Sequence, residues 1–521
     1  VSLVVSSRLG SQPTLELEQA DLPFLRFLET PRVHYPGIEL VIDAEISAQD
    51  DPYLAEHALD GQPLLPAVLG LEAMAQLTRA LVGQDAGPPV LEQVRFDRPV
   101  APAGGSTTLR LAGLRRADGS VRAAVRCAET GLEADHFQAV LRPGAGAPAL
   151  SGLPEDLMLR VDDGEPDLPP SGVAELYDLL LFHQGRFRRV GGYPRLSATS
   201  CVVDIEPGSD EAGLQGWFGR YLPQELLLGD PGARDAALHA IQACIPHARV
   251  LPQAVQRVTL GRLDSTARHR VVARERRREG EVLVWDLAIY ALVEPGQPRL
   301  VEVWEGLSLK IIEPLAPPGP WPISFIGPVL ERRMQELAPL CALEVALASM
   351  PEIDRSQRGE RLLRRLLSDG TVLVRRPDGR PEAGGGSEPP CSRPVSLAHD
   401  GDLVLGVAGM SPVGCDLEQV VAREPAIWQG LLGGAGRRLV DAITAGRNEP
   451  FDAAATRVWA ARECLVKVGA DPGAPLAVDE INGDGWVMLR SGRRVIGTIL
   501  APVGRAGHLV AVAVLASEPD A

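Results

Sequence analysis

Two stretches of this chain, residues 31–145 and 171–312, each set one helical run among several long β-rich runs. In the first, IELVIDAEI, TTLRLAGL, VRAAVRC and FQAVLRP accompany the helical LLPAVLGLEAMAQLTRALV. In the second, RVTLGRL, RVVARE, EVLVWDLAIYAL and LVEVWEGLSLKII accompany ARDAALHAIQACI. One buried helix with many long strands requires a curved antiparallel sheet, because its concave face must be filled by something apolar. The run 67–77 is apolar almost all round, as a fully wrapped helix must be. No residue-by-residue repeat links the two stretches, so the duplication is one of pattern.

The Pro/Gly/acidic segment 146–170 between them reads as a linker. Another, 313–327, closes the second unit with APPGPWP. From about residue 320 the grammar changes. Amphipathic helices are expected over 328–350, 356–368 and 452–469, with short strands at DLVLGVAG and HLVAVAVL, giving a further domain over 328–516. Residues 1–30 read as an apolar strand and linker, by position the tail of a preceding reductase-like domain, and 517–521 as a tail. At 521 residues the chain exceeds one ordinary domain.

The net charge of −16 argues against nucleic acid as a partner. No stretch reaches the length of a membrane span, and VSLVVSSRLG lacks the features of a signal peptide. The seven cysteines form no CxxC pair, which speaks against structural zinc and for reduced thiols in a cytoplasmic protein. Lysine occurs only at Lys310 and Lys467, so a lysine within a motif carries weight.

Just before the first helical run stand His57, Gly61 and Pro66. Pro66 suits the first helical position, where its missing N–H costs nothing, and Gly61 allows a sharp turn. The imidazole is thereby aimed near a helix N-terminus, whose free N–H groups can polarise a carbonyl. In the second unit Asp235 and His239 are four apart on one helical face, with Gln242 near. A carboxyl there can act as a proton donor if its surroundings are apolar. A lone histidine before a helix is ordinarily structural and a lone aspartate an ordinary N-cap. The two together, at the same place in a duplicated unit, favour chemistry. His136, His183, His247 and His269 have no recognisable partner and are read as surface or core. The RRREG run at 276–280 reads as a solvated hairpin tip. Asp264-Ser265, a faint match to a carrier-protein serine, precedes no amphipathic helix.

His57…Gly61…Pro66 resembles the HxxxGxxxxP motif of the dehydratase domains of polyketide and fatty-acid synthases. Asp235-Ala-Ala-Leu-His239 resembles their DxxxQ/H motif, and Leu251-Pro252 sits near a family Leu-Pro. The stretch 51–76 looks like iterative type I synthases, the enediyne type above all. The resemblance covers 31–312 and implies an α+β architecture, a double hotdog (31–145 and 171–312) that is dimeric and works on acyl carrier protein thioesters beside other synthase domains. It implies that His57 takes the α-proton of a β-hydroxyacyl thioester while protonated Asp235 donates to the leaving hydroxyl. Gly61, Pro66, His239 and Gln242 would contact substrate. The family's Tyr-bearing GYGPxF-like stretch is replaced here by Phe182-His183-Gln184-Gly185-Arg186-Phe187. Two other readings of the double hotdog stand: a product-template-type cyclase or isomerase with a similar His/Asp pair, and a catalytically silent dimerisation scaffold.

In Gly414-Cys415-Asp416-Leu417-Glu418 the two carboxylates fall on one side of an extended segment. They repel unless a cation such as magnesium sits between them. On the helix Trp459–Lys467, Glu463 and Lys467 share a face. Glu463 could complete a metal shell or act as base, and Lys467 could hold a phosphate oxygen. Arg375, Arg376, Arg380 and His399 lie upstream as further donors for a phosphorylated ligand. The set resembles 4′-phosphopantetheinyl transferases of the surfactin-synthetase type, with their (V/I)G(V/I)DxE strand and WxxKE(A/S)xxK helix. Arg462 and Cys464 depart from that helix pattern, and Ala398 departs from the family's SxSH segment at 396–399. The resemblance implies a pseudo-twofold α/β domain, Mg²⁺ held by Asp416, Glu418 and Glu463, coenzyme A as donor, and a carrier-protein serine as acceptor.

Overall fold

The computed structural model describes residues 22–83, 88–144, 146–159, 170–208, 216–219, 221, 224–292, 298–315, 322–337, 343–367, 371–375, 381–385, 393–482, 485–503 and 508–517. The chain divides into two compact units. One comprises Val1–Pro194, Ser200–Gln242 and Ala248–Pro314; the other Arg195–Thr199, Ala243–His247 and Leu315–Ala521.

In the first unit, strands β1 (Thr30–Tyr35), β2 (Glu39–Ser47), β3 (Val90–Phe96), β4 (Ser106–Arg115), β5 (Val121–Cys127) and β6 (Asp135–Arg142) go with helix α1 (Ala67–Val82). After helix α2 (Pro170–Leu179) come β7 (Val190–Leu196), β8 (Ser200–Ile205), helix α3 (Pro231–His239), β9 (Ala248–Thr259), β10 (His269–Glu279), β11 (Val282–Leu292) and β12 (Pro298–Pro314). All twelve strands form one antiparallel sheet in the order β1-β2-β4-β5-β6-β3-β9-β12-β11-β10-β8-β7. Read inward from each edge, 1-2-4-5-6-3 recurs as 7-8-10-11-12-9. In each half a buried helix, α1 or α3, enters between the second and third strands. The duplication therefore lies in topology, which explains why it shows in the pattern of runs and not in residue identities. The halves meet where β3 pairs with β9, Val94 opposite Val255.

Helix α1 is buried along most of its length. Gly70 lets it lie close on the sheet, since a Cβ there would come within 2.3 Å of the Phe137 ring. Its polar exceptions are used. Glu72 accepts from the Leu227 and Leu228 backbone N–H groups at 2.8 and 2.9 Å and from Gln76 at 2.9 Å. A buried carboxylate is tolerable only with such donors. Pro66 is the cap preceding α1 and not its first residue; its carbonyl accepts from Leu69 and Gly70. In the second helical run only Pro231–His239 is α-helical, and Ala240–Cys244 tightens to a 3₁₀ turn. The RRREG run ends β10 at a hairpin tip, with Gly280 in the left-handed region at φ 60°. Part of the expected linker is packed structure. Leu153 and Leu157 join Val272, Ala288, Tyr290 and Val303 in a buried cluster, and the Tyr290 hydroxyl donates to Leu157 O at 2.9 Å.

The second unit contains α4 (Ile323–Leu337), β13 (Leu343–Ser349), α5 (Arg355–Leu366), β14 (Thr371–Arg375), β15 (Pro381–Gly385), β16 (Val395–Asp400), β17 (Leu403–Gly409) and β18 (Val413–Gln419). These are followed by α6 (Pro425–Arg447), α7 (Phe451–Lys467), β19 (Ala477–Ile481), β20 (Val487–Ser491), β21 (Arg494–Val503) and β22 (His508–Ser517). Three sheets form: β13-β17-β16, β14-β15 and β18-β22-β21-β20-β19. The helix expected over 328–350 is half strand. Leu343–Ser349 pairs with β17 from Leu343 opposite Gly409 to Ser349 opposite Leu403. The helical segment α6, two stretches meeting at a kink where Gly433 takes φ 60°, was not anticipated; its glycines break the apolar period. One core cluster runs from Leu330, Val345 and Val407 to Val413, Trp486 and Val512, so helices and sheets share it. Among the described residues no helix is long and apolar enough to cross a membrane.

Candidate active site in the twelve-stranded unit and a carboxylate cluster in the second

His57 follows a single helical turn, Tyr53–Glu56, and precedes a two-residue hairpin. Asp60 and Gly61 form the turn with φ of 50° and 80°, the pair of positive values that favours Asp-Gly. Gly61 therefore serves the turn; neither it nor Pro66 lines the cavity described below. The hairpin base fixes the imidazole. Leu64 N–H donates to His57 O at 2.9 Å, and His57 Nδ1–H donates to Leu64 O at 3.1 Å. With Nδ1 committed, Nε2 keeps the free lone pair.

Asp235 lies one turn into α3, behind a cap formed by Asp230, which accepts from Gly232 N–H at 2.8 Å. The i,i+4 neighbour His239 places Nδ1 3.1 Å from Asp235 Oδ2, as the spacing requires. A second imidazole, that of His183, places Nε2 3.2 Å from the same oxygen. Its ring lies between Phe182 (4.1 Å, stacked) and His239 (3.9 Å), and 5.1 Å from His57. His183 is thus a member of the site, not the isolated residue expected from sequence. Nothing near it in sequence announces this, because its partners come from other segments. The only hint was its place in the stretch where the resembled family carries a tyrosine.

The loop bearing His183 is stitched to the segment bearing His57. Gln184 N–H donates to Glu56 O at 2.8 Å, Arg186 N–H to Glu56 Oε2 at 3.0 Å, and Arg186 Nε pairs with the same carboxylate at 2.9 Å. Tyr177 supports the other side. Its hydroxyl accepts from the N–H groups of Arg189 (3.0 Å) and Val190 (3.1 Å) and lies 3.2 Å from His239 Nε2.

These groups face a cavity of about 310 Å³. Its walls include His57, Ala67, Phe137, Leu181, His183, Asp235, His239 and Gln242, with Leu251-Pro252 of β9. Gln242 holds β9 in place, donating to Ala248 O at 2.6 Å and accepting from Val250 N–H at 3.1 Å. His57 is 8% and Asp235 6% exposed. Burial pushes His57 down to about 4, against the opposing pull of Asp235, so the imidazole is neutral near pH 7. Burial pushes the His183 imidazole down to about 4 as well. For Asp235, burial acts upward but the two imidazole donors outweigh it, and the carboxyl is held below its ordinary range. Two imidazole donors thus converge on the carboxyl that the sequence reading takes as a proton donor in apolar surroundings. A neutral base and a carboxyl bound to two proton-bearing rings, at one apolar cavity, suit proton removal from carbon paired with proton delivery to a leaving group.

In the second unit β18 turns Asp416 and Glu418 the same way, since side chains alternate along a strand. Gly414 is needed there because a Cβ would lie 2.7 Å from Cys464 O of α7. Lys467 Nζ lies 2.8 Å from Asp416 Oδ1 and 2.7 Å from Cys415 O. Trp459 Nε1–H donates to Glu418 Oε1 at 3.2 Å. Burial first, and then the Asp416 charge, raises the carboxyls of Asp400, Glu418 and Glu463. Burial raises Asp416 too, despite Lys467. Asp400, not singled out in the sequence, belongs to this cluster. Among the described residues no three carboxylates bring their oxygens within 4.8 Å of one another, so Asp416, Glu418 and Glu463 are neighbours without closing into one shell. Asp416 Oδ2 is nonetheless buried without a hydrogen-bond partner, and a carboxylate oxygen is the ligand type that a hard divalent cation takes. His399 is half-buried on β16, whose Ser396 Oγ accepts from Cys415 N–H at 3.1 Å. Arg376 and Arg380 lie outside the described residues.

Two family profiles match the chain. Residues 30–127 match "Polyketide synthase dehydratase domain" and residues 161–319 match "Polyketide synthase dehydratase N-terminal domain". No curated protein matches. Similar solved structures include the dehydratase domain from the CurF module of the curacin polyketide synthase, at 15% identity, 55% of this chain, 99% of that chain and TM-score 0.41. An isomerase-inactive variant of GphF DH1 shares 20% identity over 56% of this chain and 98% of its own, with TM-score 0.43.

Proposed function

We propose that residues 30–319, a polyketide synthase dehydratase region, remove water from β-hydroxyacyl thioesters presented by an acyl carrier protein. The observation that carries this reading is the meeting of His57 and Asp235, from opposite halves of the duplicated sheet, at one largely apolar cavity. His57, neutral and with Nδ1 tied to Leu64 O, offers Nε2 to the α-proton. Asp235, protonated as the substrate closes the apolar cavity to water, gives its proton to the β-hydroxyl as the C–O bond breaks. The N-terminal turn of α1, whose Ala67 lines the cavity, faces the thioester carbonyl and favours the enolate-like charge that develops on it. Gln242 and Leu251-Pro252 shape the acyl wall.

The test is turnover of a β-hydroxyacyl pantetheine thioester, with His57→Ala as control. Loss of the enoyl product by about 10²-fold or more in the variant supports the assignment. A parent with no activity, or a variant with none lost, points to a silent scaffold instead. A cyclised or isomerised product points to the product-template reading.

For the second unit we infer transfer of 4′-phosphopantetheine from coenzyme A to a carrier-protein serine. Asp416, Glu418 and Glu463 would hold Mg²⁺, which when bound offsets the pyrophosphate charge. Supporting this are the buried, unpartnered Asp416 Oδ2 and the mutual repulsion of the surrounding carboxyls. Lys467 and His399 would bind phosphate oxygens, and Arg380 would join them. Incubating an apo carrier protein with this chain, coenzyme A and Mg²⁺ should add the mass of one phosphopantetheine. No gain with the parent chain, or a gain undiminished in Asp416→Ala, would remove the assignment.

A further inference from the structure

His57, His183 and Asp235 have a second property beside their acid–base chemistry. They come from three separate segments, the turn before α1, the loop after α2 and α3 itself, yet each brings one ligand atom to the same point. One nitrogen of His57, one of His183 and one oxygen of Asp235 all lie within 4.8 Å of one another, and all three side chains are buried. Among the described residues no other group of histidines, cysteines and carboxylates converges in this way.

We propose that these three side chains form a binding site for Zn²⁺, and that the ion, when held there, reversibly silences dehydration. The binding stands on the geometry alone; the silencing rests on the dehydratase reading above. Two imidazoles and one carboxylate are a donor set for a borderline ion such as zinc, whereas Mg²⁺ takes oxygen ligands. Two ligand atoms each about 2.0 Å from a tetrahedral zinc are about 3.3 Å apart. His183 Nε2 lies 3.2 Å from Asp235 Oδ2, which matches one edge of that tetrahedron. The His57 nitrogen, within 4.8 Å of both, closes the third side by a shift of about 1.5 Å or less. The fourth position faces the cavity and is left for water or a substrate oxygen.

A zinc-binding imidazole needs its other nitrogen held, because that fixes the lone pair on the metal. His57 meets this condition: Nδ1–H donates to Leu64 O at 3.1 Å and leaves the Nε2 lone pair available. Asp235 is oriented by His239, whose Nδ1 lies 3.1 Å from Oδ2 and whose Nε2 lies 3.2 Å from the Tyr177 hydroxyl. The His183 ring is clamped between Phe182 and His239. To offer Nε2 it must carry its proton on Nδ1, which is buried and has no hydrogen-bond partner among the described residues. That tautomer exchange runs through cavity water, with no net proton gained or lost. Bound zinc occupies the His57 lone pair that takes the α-proton and the Asp235 oxygen that serves the β-hydroxyl, so base and acid are withdrawn together.

The experiment uses the full chain freed of metal by a chelator, with Co²⁺ as a coloured stand-in for Zn²⁺. Four-coordinate cobalt with nitrogen ligands absorbs strongly in the visible, whereas six-coordinate cobalt on carboxylates such as Asp416 absorbs weakly. The parent should develop the strong band at one equivalent, and Zn²⁺ should bleach it. His57→Ala and His183→Ala should lose the band and bind Zn²⁺ about 100-fold or more weakly. Metal-free urea unfolding checks that both variants fold. His183→Cys supplies a second test: it should keep the visible band and add a near-ultraviolet thiolate-to-cobalt absorption. No strong band in the parent, a band undiminished in a folded alanine variant, or no new absorption in His183→Cys would overturn the site. In the dehydration assay, Zn²⁺ at the concentration that saturates the site should abolish enoyl formation by the parent, Mg²⁺ should not, and a chelator should restore it. Zinc that binds yet leaves turnover intact overturns the silencing. A metal-free parent that makes no enoyl product refutes the dehydratase reading, while the cobalt band stands or falls by itself.

Discussion

Replacing Tyr177 by phenylalanine removes one oxygen from behind the active site, and the cost can be worked from its contacts. The hydroxyl accepts from two backbone N–H groups, Arg189 at 3.0 Å and Val190 at 3.1 Å, in a region where the ring itself is buried. Burial pushes the phenol up to about 12, so it stays protonated and neutral at any working pH. Each orphaned buried donor costs about 1–3 kcal/mol, and partial entry of water offsets some of the sum, giving about 2–4 kcal/mol for the pair. That corresponds to a fall of about 30- to 1,000-fold in the local closing equilibrium. Amide hydrogen exchange over peptide 185–192 should accelerate by that order, with the largest change at Arg189 and Val190. Dehydration should slow as well, because His239 loses the partner that fixes its Nε2. Exchange within about twofold of the parent would show that these N–H groups find water readily, and that the hydroxyl does not organise the loop.

Four more predictions rest on other contacts of the two units. The acid limb of kcat/KM should fall near pH 4, since burial holds His57 down to about 4; a limb near 6.5 would mean a solvated base. The linked stability has a definite sign. An imidazole depressed on folding contributes fully above its unfolded value, and the contribution is lost as pH falls from about 6.5 to about 4, by roughly 3 kcal/mol for His57, with His57→Gln flattening the dependence measured by urea unfolding. Arg234→Met should destabilise the first unit by about 3–5 kcal/mol in the same unfolding measurement, because Glu302, fully buried and bonded to Arg234 at 2.9 Å, is left as an uncompensated charge. Gly414→Ala should cost about 1–3 kcal/mol in the second unit, since its Cβ would press on Cys464 O and part β18 from α7; an unchanged melting curve would mean the strand can shift freely.

What could be read from the sequence was whatever is settled between near neighbours in the chain. The Asp235–His239 contact follows from helical spacing, and the His57 turn from Asp60-Gly61. The buried α1 follows from an apolar run with few polar interruptions. The misreadings share the opposite property. Residues 343–349 carry enough apolar character for either a helix or a strand, and pairing with β17, about sixty residues on, decided for the strand. Leu153 and Leu157 lie in a stretch rich in proline and glycine, yet packing against β10, β11 and β12 makes them core. His183 is the sharpest case. Its loop is fixed by Glu56, 130 positions away, and its hydrogen bond goes to Asp235, so no window of sequence contains its chemistry. Yet the same clamp that hides His183 from the sequence brings it to the cavity. Glu56 immediately precedes His57, so any shift of the His57 turn must drag the 184–186 backbone with it. His57 and His183 therefore move as one body against Asp235, and the distance that sets the geometry of the site is the one between that body and α3.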